Sequence, residues 1–341
     1  MPSGSFANVV TPAASLLKRL TTVKQQEVKL TVGLDIGSTA IKAVALGARK
    51  GGPRPVLGHH LVPLSADQAV DASEAIKTAV TGLHVPLRSV NLSVSGQWVI
   101  MRIVELPTMK PAEMAQALPF EAQRYLPFNI QDVVLDGAVL GSASPNKSWV
   151  LVVACKKELL ERRIDWVHRA GFEVALIDVD ALAVANAFLA GTHRPQGTRA
   201  MLNLGGQMTN LVIIQDEIPY LVRDIPWGGE KLVRNTAEQI GGDAAAVAKQ
   251  LAEGSVTPEV TNAMKLVSEA LVSELQLSFD YFENRFGHPP EEILVCGGLS
   301  QSTAFLDGLR QYLTQQVLPW EPASGLSPQF AVAYGLALRT S

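Results

Sequence analysis

The stretch MLNLGG occupies residues 201–206, and an earlier one, GLDIGST, occupies residues 33–39. Laid over each other at an offset of 168 residues, Asp35 falls on Asn203, Ile36 on Leu204 and Gly37 on Gly205; further on, Val44 falls on Val212 and Leu46 on Ile214. In each copy an apolar alternation runs into a glycine and resumes after it, which predicts strand, tight turn, strand. The context repeats as well, since each hairpin opens a run of three strands with helices to follow. The pattern predicts an α/β protein built from two duplicated halves that face each other across a cleft, with one such turn on each wall.

The residue types in the first turn suit phosphate. Glycine lets the backbone approach an anion with no side chain in the way, and its free φ allows successive N–H groups to point inward. Ser38 and Thr39 add hydroxyl donors, and Lys42 can reach the β- and γ-phosphates of a nucleotide as a point charge. Asp35, ending the incoming strand, can hold Mg2+ directly or through water, because hard cations take carboxylate and water oxygens. On the second copy Asn203 replaces the carboxylate with a neutral amide. An amide still accepts a hydrogen bond from a metal-bound water, but it lacks the charge that binds Mg2+ or polarises an attacking water.

Composition narrows the classes. A chain of 341 residues with 47% hydrophobic and 18% charged residues can bury cores for two domains. The net charge of −3 gives no support to nucleic-acid binding. Cys155 and Cys296 both lie in apolar strand-like runs, a pattern that fits a reducing cytoplasm and offers no metal-ligand spacing. No segment approaches the roughly 18–20 uninterrupted apolar residues of a membrane span. Residues 1–28 are expected to be a flexible tail; their basic residues follow the apolar ones, unlike a secretory leader, and ASLLKRLTTV within them could form a short amphipathic element.

Between the repeats, TMKPAEMAQALPFEAQRYLPF predicts a helix over about residues 111–125, capped by Thr108 and stopped by Pro127. In the second half a long helix places Leu271, Leu275, Ser278, Phe279, Phe282 and Phe286 near one face, which reads as core. His59 and His60 are adjacent in a strand and point to opposite faces, so they cannot share a ligand.

These motifs resemble those of the actin-like ATPase superfamily, which includes actin, FtsA, heat-shock chaperones and sugar kinases. GLDIGSTAIKAVAL looks like its first phosphate motif, LNLGGQMTNLVII like its second, and ILVCGGLSQSTAFLDGL like its adenosine motif. Within the superfamily the chain is similar to the PilM family of type IV pilus inner-membrane assembly proteins, through ALPFEAQRYLPF and the long stretches around it, EALVSELQLSFDYFENRFG included. The resemblance runs from about residue 30 to the C-terminus and implies two ribonuclease H-like domains with a nucleotide cleft between them. It places the first domain at 29–106 and 172–197 and an FtsA/PilM-type extra subdomain at 107–171. The second domain falls at 198–226 and 289–341, with a helical subdomain at 227–288.

The resemblance also implies ATP and Mg2+ as cofactors. The nucleotide set it suggests is Asp35, Gly37, Ser38, Thr39 and Lys42, then Asn203, Gly205, Gly206, Gln207, Thr209, Gly228, Gly229, Lys231, Gly297 and Gly298, with Asp35 as the metal residue. Two departures from the family stand out: Asp is usual where Asn203 stands, and a third glycine is common where Leu299 stands. The implied function is a cytoplasmic ATP-binding scaffold, peripheral to the inner membrane and at most a slow ATPase. It would bind the N-terminal cytoplasmic peptide of a PilN-like membrane protein, with pilus motor ATPases as further partners. Leu118, Tyr125 and Phe128 are the candidate peptide contacts. The alternative is a small-molecule kinase, for which Asp178 or Asp180 would have to serve as base.

Overall fold

The computed structural model describes residues 30–48, 53–65, 70–191 and 197–340. The tail at 1–28 and its amphipathic alternative lie outside the described residues. The chain divides into two compact units, with breaks between residues 192 and 193 and between Ala331 and Val332.

In the first unit β1 (Thr31–Ile36), β2 (Ala40–Leu46) and β3 (Val56–Pro63) form an antiparallel meander, and β4 (Ser89–Val94) joins β1 in parallel. Three more strands follow: β5 (Val99–Pro107), β6 (Val133–Ser144) and β7 (Lys147–Lys156). The last of the main sheet is β8 (Glu173–Val179), which completes the order β3-β2-β1-β4-β8. Val32, Leu34, Ile41, Ala43 and Leu92 turn one face of this sheet onto α1 (Ser73–Thr81), whose Ala75, Ile76, Ala79 and Val80 are buried against it.

The second unit repeats the arrangement with β9 (Thr198–Leu204), β10 (Thr209–Gln215), β11 (Ile218–Ile225), β12 (Glu292–Cys296) and β13 (Gln316–Pro319). Their order is β11-β10-β9-β12-β13, with two antiparallel and then two parallel pairings, as in the first sheet. The duplicated hairpins thus sit at the same place in two sheets of the same topology.

The inserted subdomain differs from the expected 107–171 at both ends. Its three-stranded sheet, ordered β5-β7-β6, takes in β5 from Val99 onward. The helix α2 (Pro111–Ala122) covers that sheet with Met114, Leu118 and Ala122. The following helix α3 (Lys157–Arg169) instead buries Trp166 and Val167 in the core of the main sheet. The apolar face of α3 matches that core, so the break falls at the end of β7. Helix α2 also stops at Ala122, three residues before the expected end, with Pro119 inside it and Pro127 following.

The helix α4 (Asp180–Leu189) is buried from Ala181 to Phe188, with alanine at 181, 183, 185 and 187. The second unit adds α5 (Gly229–Ile240), α6 (Ala244–Glu253), α7 (Pro258–Phe286) and α8 (Thr303–Arg310). Leu271, Leu275, Phe279 and Phe282 of α7 are buried in its core as expected, with Phe286 packed against them. The last helix, α9 (Ala331–Ala337), departs from the expected division: from Val332 onward it belongs to the first unit. The cause is backbone-level packing, because a Cβ at Gly33 would lie 1.9 Å from the Ala333 carbonyl oxygen. Asn91 Nδ2 also donates to the Leu336 and Arg339 carbonyls at 2.8 and 3.0 Å.

One buried carboxyl in the insert has a consequence for stability. Burial pushes Asp136 in β6 up to about 6, against the Gly137 N–H that donates to it at 2.8 Å. The folded chain then binds this proton more tightly than the unfolded chain, so the native state loses stability as pH rises through about 6. Asp136→Asn keeps the acceptor for Gly137 and removes the charge. At pH 8 it should stabilise the protein by roughly 2 kcal/mol in urea unfolding, with the gain gone by pH 4. A variant less stable than the parent at pH 8 would contradict the assignment.

Candidate nucleotide site and family

In the first unit the turn between β1 and β2 is closed by Gly37 N donating to Ala40 O at 3.1 Å. The hairpin register sets Asp35 directly opposite Lys42, and their side chains form an ion pair at 2.9 Å. Asp35, Gly37, Ser38, Thr39 and Lys42 therefore come together at one turn. The structure adds that the two charged members are partners of each other. Asp35 is 6% exposed, and Lys42 neutralises it across the hairpin.

Sequence reading missed what surrounds this pair. Arg163 of α3 donates from Nη1 to the Ile36 carbonyl at 2.5 Å. Asp180, the first residue of α4, is near enough to Asp35 to feel its charge. Burial and then the Asp35 charge push the Asp180 carboxyl up, while the Ser93 and Ser95 hydroxyls and Arg163 pull it down. The phosphate turn thus lies in a mixed cluster of two carboxylates and two cations. Asp178, the other carboxylate of the kinase alternative, is unavailable as a base. It accepts from Arg339 Nη1 at 2.5 Å and from its neighbour Val179 N at 2.8 Å.

In the second unit Gly205 N donates to Met208 O at 3.0 Å, closing the matching turn. Gly229 N and Glu230 N donate to Gly205 O and Gly206 O, both at 2.9 Å, so the start of α5 is stitched onto the turn. A Cβ at Gly228 would lie 2.4 Å from Gly206 O, which is why that position has none. Gln207 donates to Glu230 at 3.1 Å, and Lys231 sits in the first turn of the same helix. Gly297, at φ 88°, leads into a 3-10 turn over Gly298–Gln301. A Cβ on Gly297 would lie 2.5 Å from Leu204 O and 2.6 Å from Asn203 Oδ1, so the adenosine-motif turn presses on the end of β9. A Cβ at Gly298 would meet nothing within 4 Å. Leu299, where a third glycine was expected, packs over Gly229.

One member of the expected set has another job. Thr209 is fully buried and donates its hydroxyl to Trp227 O at 2.7 Å, so its side chain fastens β10 to the segment before α5. Two residues the sequence reading passed over belong beside Asn203. Asn203 Nδ2 donates to Asn210 Oδ1 at 2.7 Å, and Asn210 Nδ2 donates to Asp224 Oδ1 at 2.7 Å. The signal was in the repeat, because the same 168-residue offset carries Lys42 onto Asn210.

The peptide candidates separate. Leu118 is buried in the subdomain core against Gly137. Tyr125 lies beyond the end of α2 and is 41% exposed. Phe128 is half-buried beside Trp98, their ring centroids 6.2 Å apart, and the Lys156 ammonium lies 4.1 Å from the Trp98 ring centre and 4.8 Å from that of Phe128. Phe120 on α2 is 75% exposed. Of the two thiols, Cys155 is pushed up to about 12 by burial, which makes it unreactive.

Two sheets of one topology, each with a glycine turn after its first strand, define the actin-like ATPase fold. Ethanolamine utilization protein EutJ from Carboxydothermus hydrogenoformans shares that fold, with a TM-score of 0.55, 15% identity, and 95% of this chain and 96% of that one covered. So does a Bacteroides thetaiotaomicron protein with an actin-like ATPase fold, with a TM-score of 0.51, 8% identity and coverage of 94% and 100%. A family profile described as type IV pilus assembly protein PilM matches residues 33–320, and the chain belongs to that family. It is similar to a chain of a PilM–PilN type IV pilus biogenesis complex, with a TM-score of 0.80 and 26% identity over 92% of this chain and 98% of that one. Among the described residues no helix is long and apolar enough to cross a membrane.

Proposed function

We propose that this protein is an ATP-binding scaffold of type IV pilus assembly that works through binding, with hydrolysis slow or absent. The observation that carries the nucleotide part is the duplicated glycine turn, which recurs at the same position of both sheets with the Asp35–Lys42 pair at the first. The residues fit ATP with Mg2+. Lys42 supplies a cation for the terminal phosphates, and the backbone N–H groups of the turns supply donors. Among the described residues no group of three or more His, Cys, Asp or Glu could form a metal cage by itself. Mg2+ is held by one or two carboxylates together with substrate phosphates and water. Asp35 would hold it, and the bound cation would neutralise phosphate charge. Asn203 brings no carboxylate to the second turn, and this supports slow turnover. Lys42→Ala removes a charge-assisted contact worth roughly 1.5–3 kcal/mol. ATP affinity by calorimetry should fall about ten- to a hundredfold. An unchanged dissociation constant would remove Lys42 from the site.

The partner is inferred from the PilM–PilN complex: the N-terminal cytoplasmic peptide of a PilN-like inner-membrane protein, which would keep this chain cytoplasmic and peripheral to the membrane. The Trp98–Phe128–Lys156 stack and the exposed Tyr125 support a peptide-binding role for the inserted subdomain, since aromatic anchors dominate such contacts. Phe128→Ala should weaken capture of that peptide at least tenfold while the melting temperature stays within a few degrees of the parent. A large fall in melting temperature would return Phe128 to the core. Failure of the unmodified protein to bind any such peptide would remove the scaffold function itself.

A further inference from the structure

Three side chains run across the second sheet in one row. The register sets Asn203 of β9 opposite Asn210 of β10, and Asn210 opposite Asp224 of β11. In the first sheet the equivalent row is Asp35, Lys42 and Leu61. The carboxylate has therefore moved from the inner strand to the outer one, with an amide in the middle where the first sheet has an ammonium.

The chemistry of the row fixes its direction. An ionised carboxylate only accepts hydrogen bonds, so Asn210 must turn its NH2 group to Asp224 and its carbonyl the other way. The Asn210 carbonyl then accepts from the NH2 group of Asn203, at 2.7 Å. Asn203 is left presenting Oδ1. That oxygen faces the adenosine-motif turn, where the weakly donating Cys296 thiol lies 3.8 Å away and Gly297 has no side chain to cover it. A charged acceptor at one end of such a chain also polarises each amide in turn, making the last oxygen a stronger acceptor.

We propose that Asp224 is a positioning residue for nucleotide binding. Through Asn210 it locks the Asn203 amide with its oxygen turned away from the row, so that a phosphate-bound hydrated cation at the second turn would meet an acceptor there and not a donor. The inference rests on the ATP–Mg2+ reading above. It gives Asn203 a definite role and assigns Asp224 and Asn210 to the site.

The variant Asp224→Asn is nearly isosteric and can both donate and accept, so the row loses its fixed sense. ATP affinity measured by calorimetry in Mg2+ should fall five- to tenfold, while affinity in EDTA changes less than twofold and the melting temperature moves little. Adding Asn203→Asp to this variant should restore the Mg2+-dependent affinity, because a carboxylate presents oxygen whichever way it turns. The side-chain NH2 resonances of Asn203 and Asn210 should shift in Asp224→Asn even without nucleotide. Equal losses in Mg2+ and EDTA, with a lowered melting temperature, would make Asp224 purely structural and overturn the proposal. Unchanged Mg2+–ATP affinity would also overturn it, as would unmoved amide resonances. If the unmodified protein binds no ATP, the nucleotide reading fails instead. The resonances then still decide whether Asp224 orients the row.

Discussion

Replacing Gly335 with alanine should destabilise the first unit by at least about 3 kcal/mol and lower its melting temperature by roughly 6–12 °C. The new Cβ would lie 1.8 Å from the carbonyl oxygen of Ala183 and 2.5 Å from its carbonyl carbon. Both are backbone atoms in α4, so no rotamer change can relieve the overlap and one helix must shift. The surroundings leave little room for that. Ala181, Ala183, Ala185 and Ala187 of α4 are buried with almost no side-chain volume to give up, and on another side of α9 Gly33 sits against Ala333 and Ala337. A shift of α9 would also break the bonds from Asn91 to Leu336 and Arg339. Gly298→Ala is the control, because its Cβ would meet nothing within 4 Å. It should change stability by no more than about 0.5 kcal/mol. A Gly335→Ala protein that melts with the parent would show that α9 is not seated as described.

The contrast between these glycines explains how much of the molecule could be read in advance. Strands β1, β2, β9 and β10 were legible because they are buried on both faces or alternate cleanly around a turn glycine, a signal carried by a few neighbouring residues. The first-turn set was legible for the same reason, since Asp35, Gly37 and Lys42 are close in sequence and in space. The placement of α9 was not. The sequence AVAYGLA describes a helix whichever unit it packs on, and the choice is recorded in partners as distant in sequence as Gly33 and Asn91. The insert boundary failed similarly: β5 is apolar enough for either sheet, and its partnership with β7 is a long-range fact. Asp224 was missed because its role depends on a row across three strands, in which sequence proximity means nothing. Thr209 shows the converse case: its place after the turn suggests a ligand contact, whereas its hydroxyl donates to a buried carbonyl, that of Trp227.

The second large effect is expected at Arg339. Its guanidinium pairs with Asp178 at 2.5 Å, and the two side chains are 9% and 5% exposed. Asp178 closes β8, where its other oxygen holds Val179 N, and Asn186 of α4 donates to it at 3.4 Å. Arg339, two residues beyond α9, is thus tied electrostatically to the end of the sheet and to the adjoining helix. Arg339→Ala deletes the cation but leaves the carboxylate buried, and an uncompensated buried charge costs about 3–5 kcal/mol. The loss should be largest at pH 8. It should shrink on acidification, because Arg339 is one of the groups that holds the Asp136 carboxyl down, and without it that carboxyl is harder still to ionise in the folded variant. Adding Asp178→Asn to Arg339→Ala should recover at least half of the loss, because an amide can still accept from Val179 N without a charge. Urea unfolding of the parent, the single variant and the double variant at pH 5 and pH 8 measures all of these terms. If Arg339→Ala lost the same stability at both pH values and the double variant recovered nothing, the guanidinium would matter for its packing alone, and the ion pair could not be what secures the C-terminal segment to the first unit.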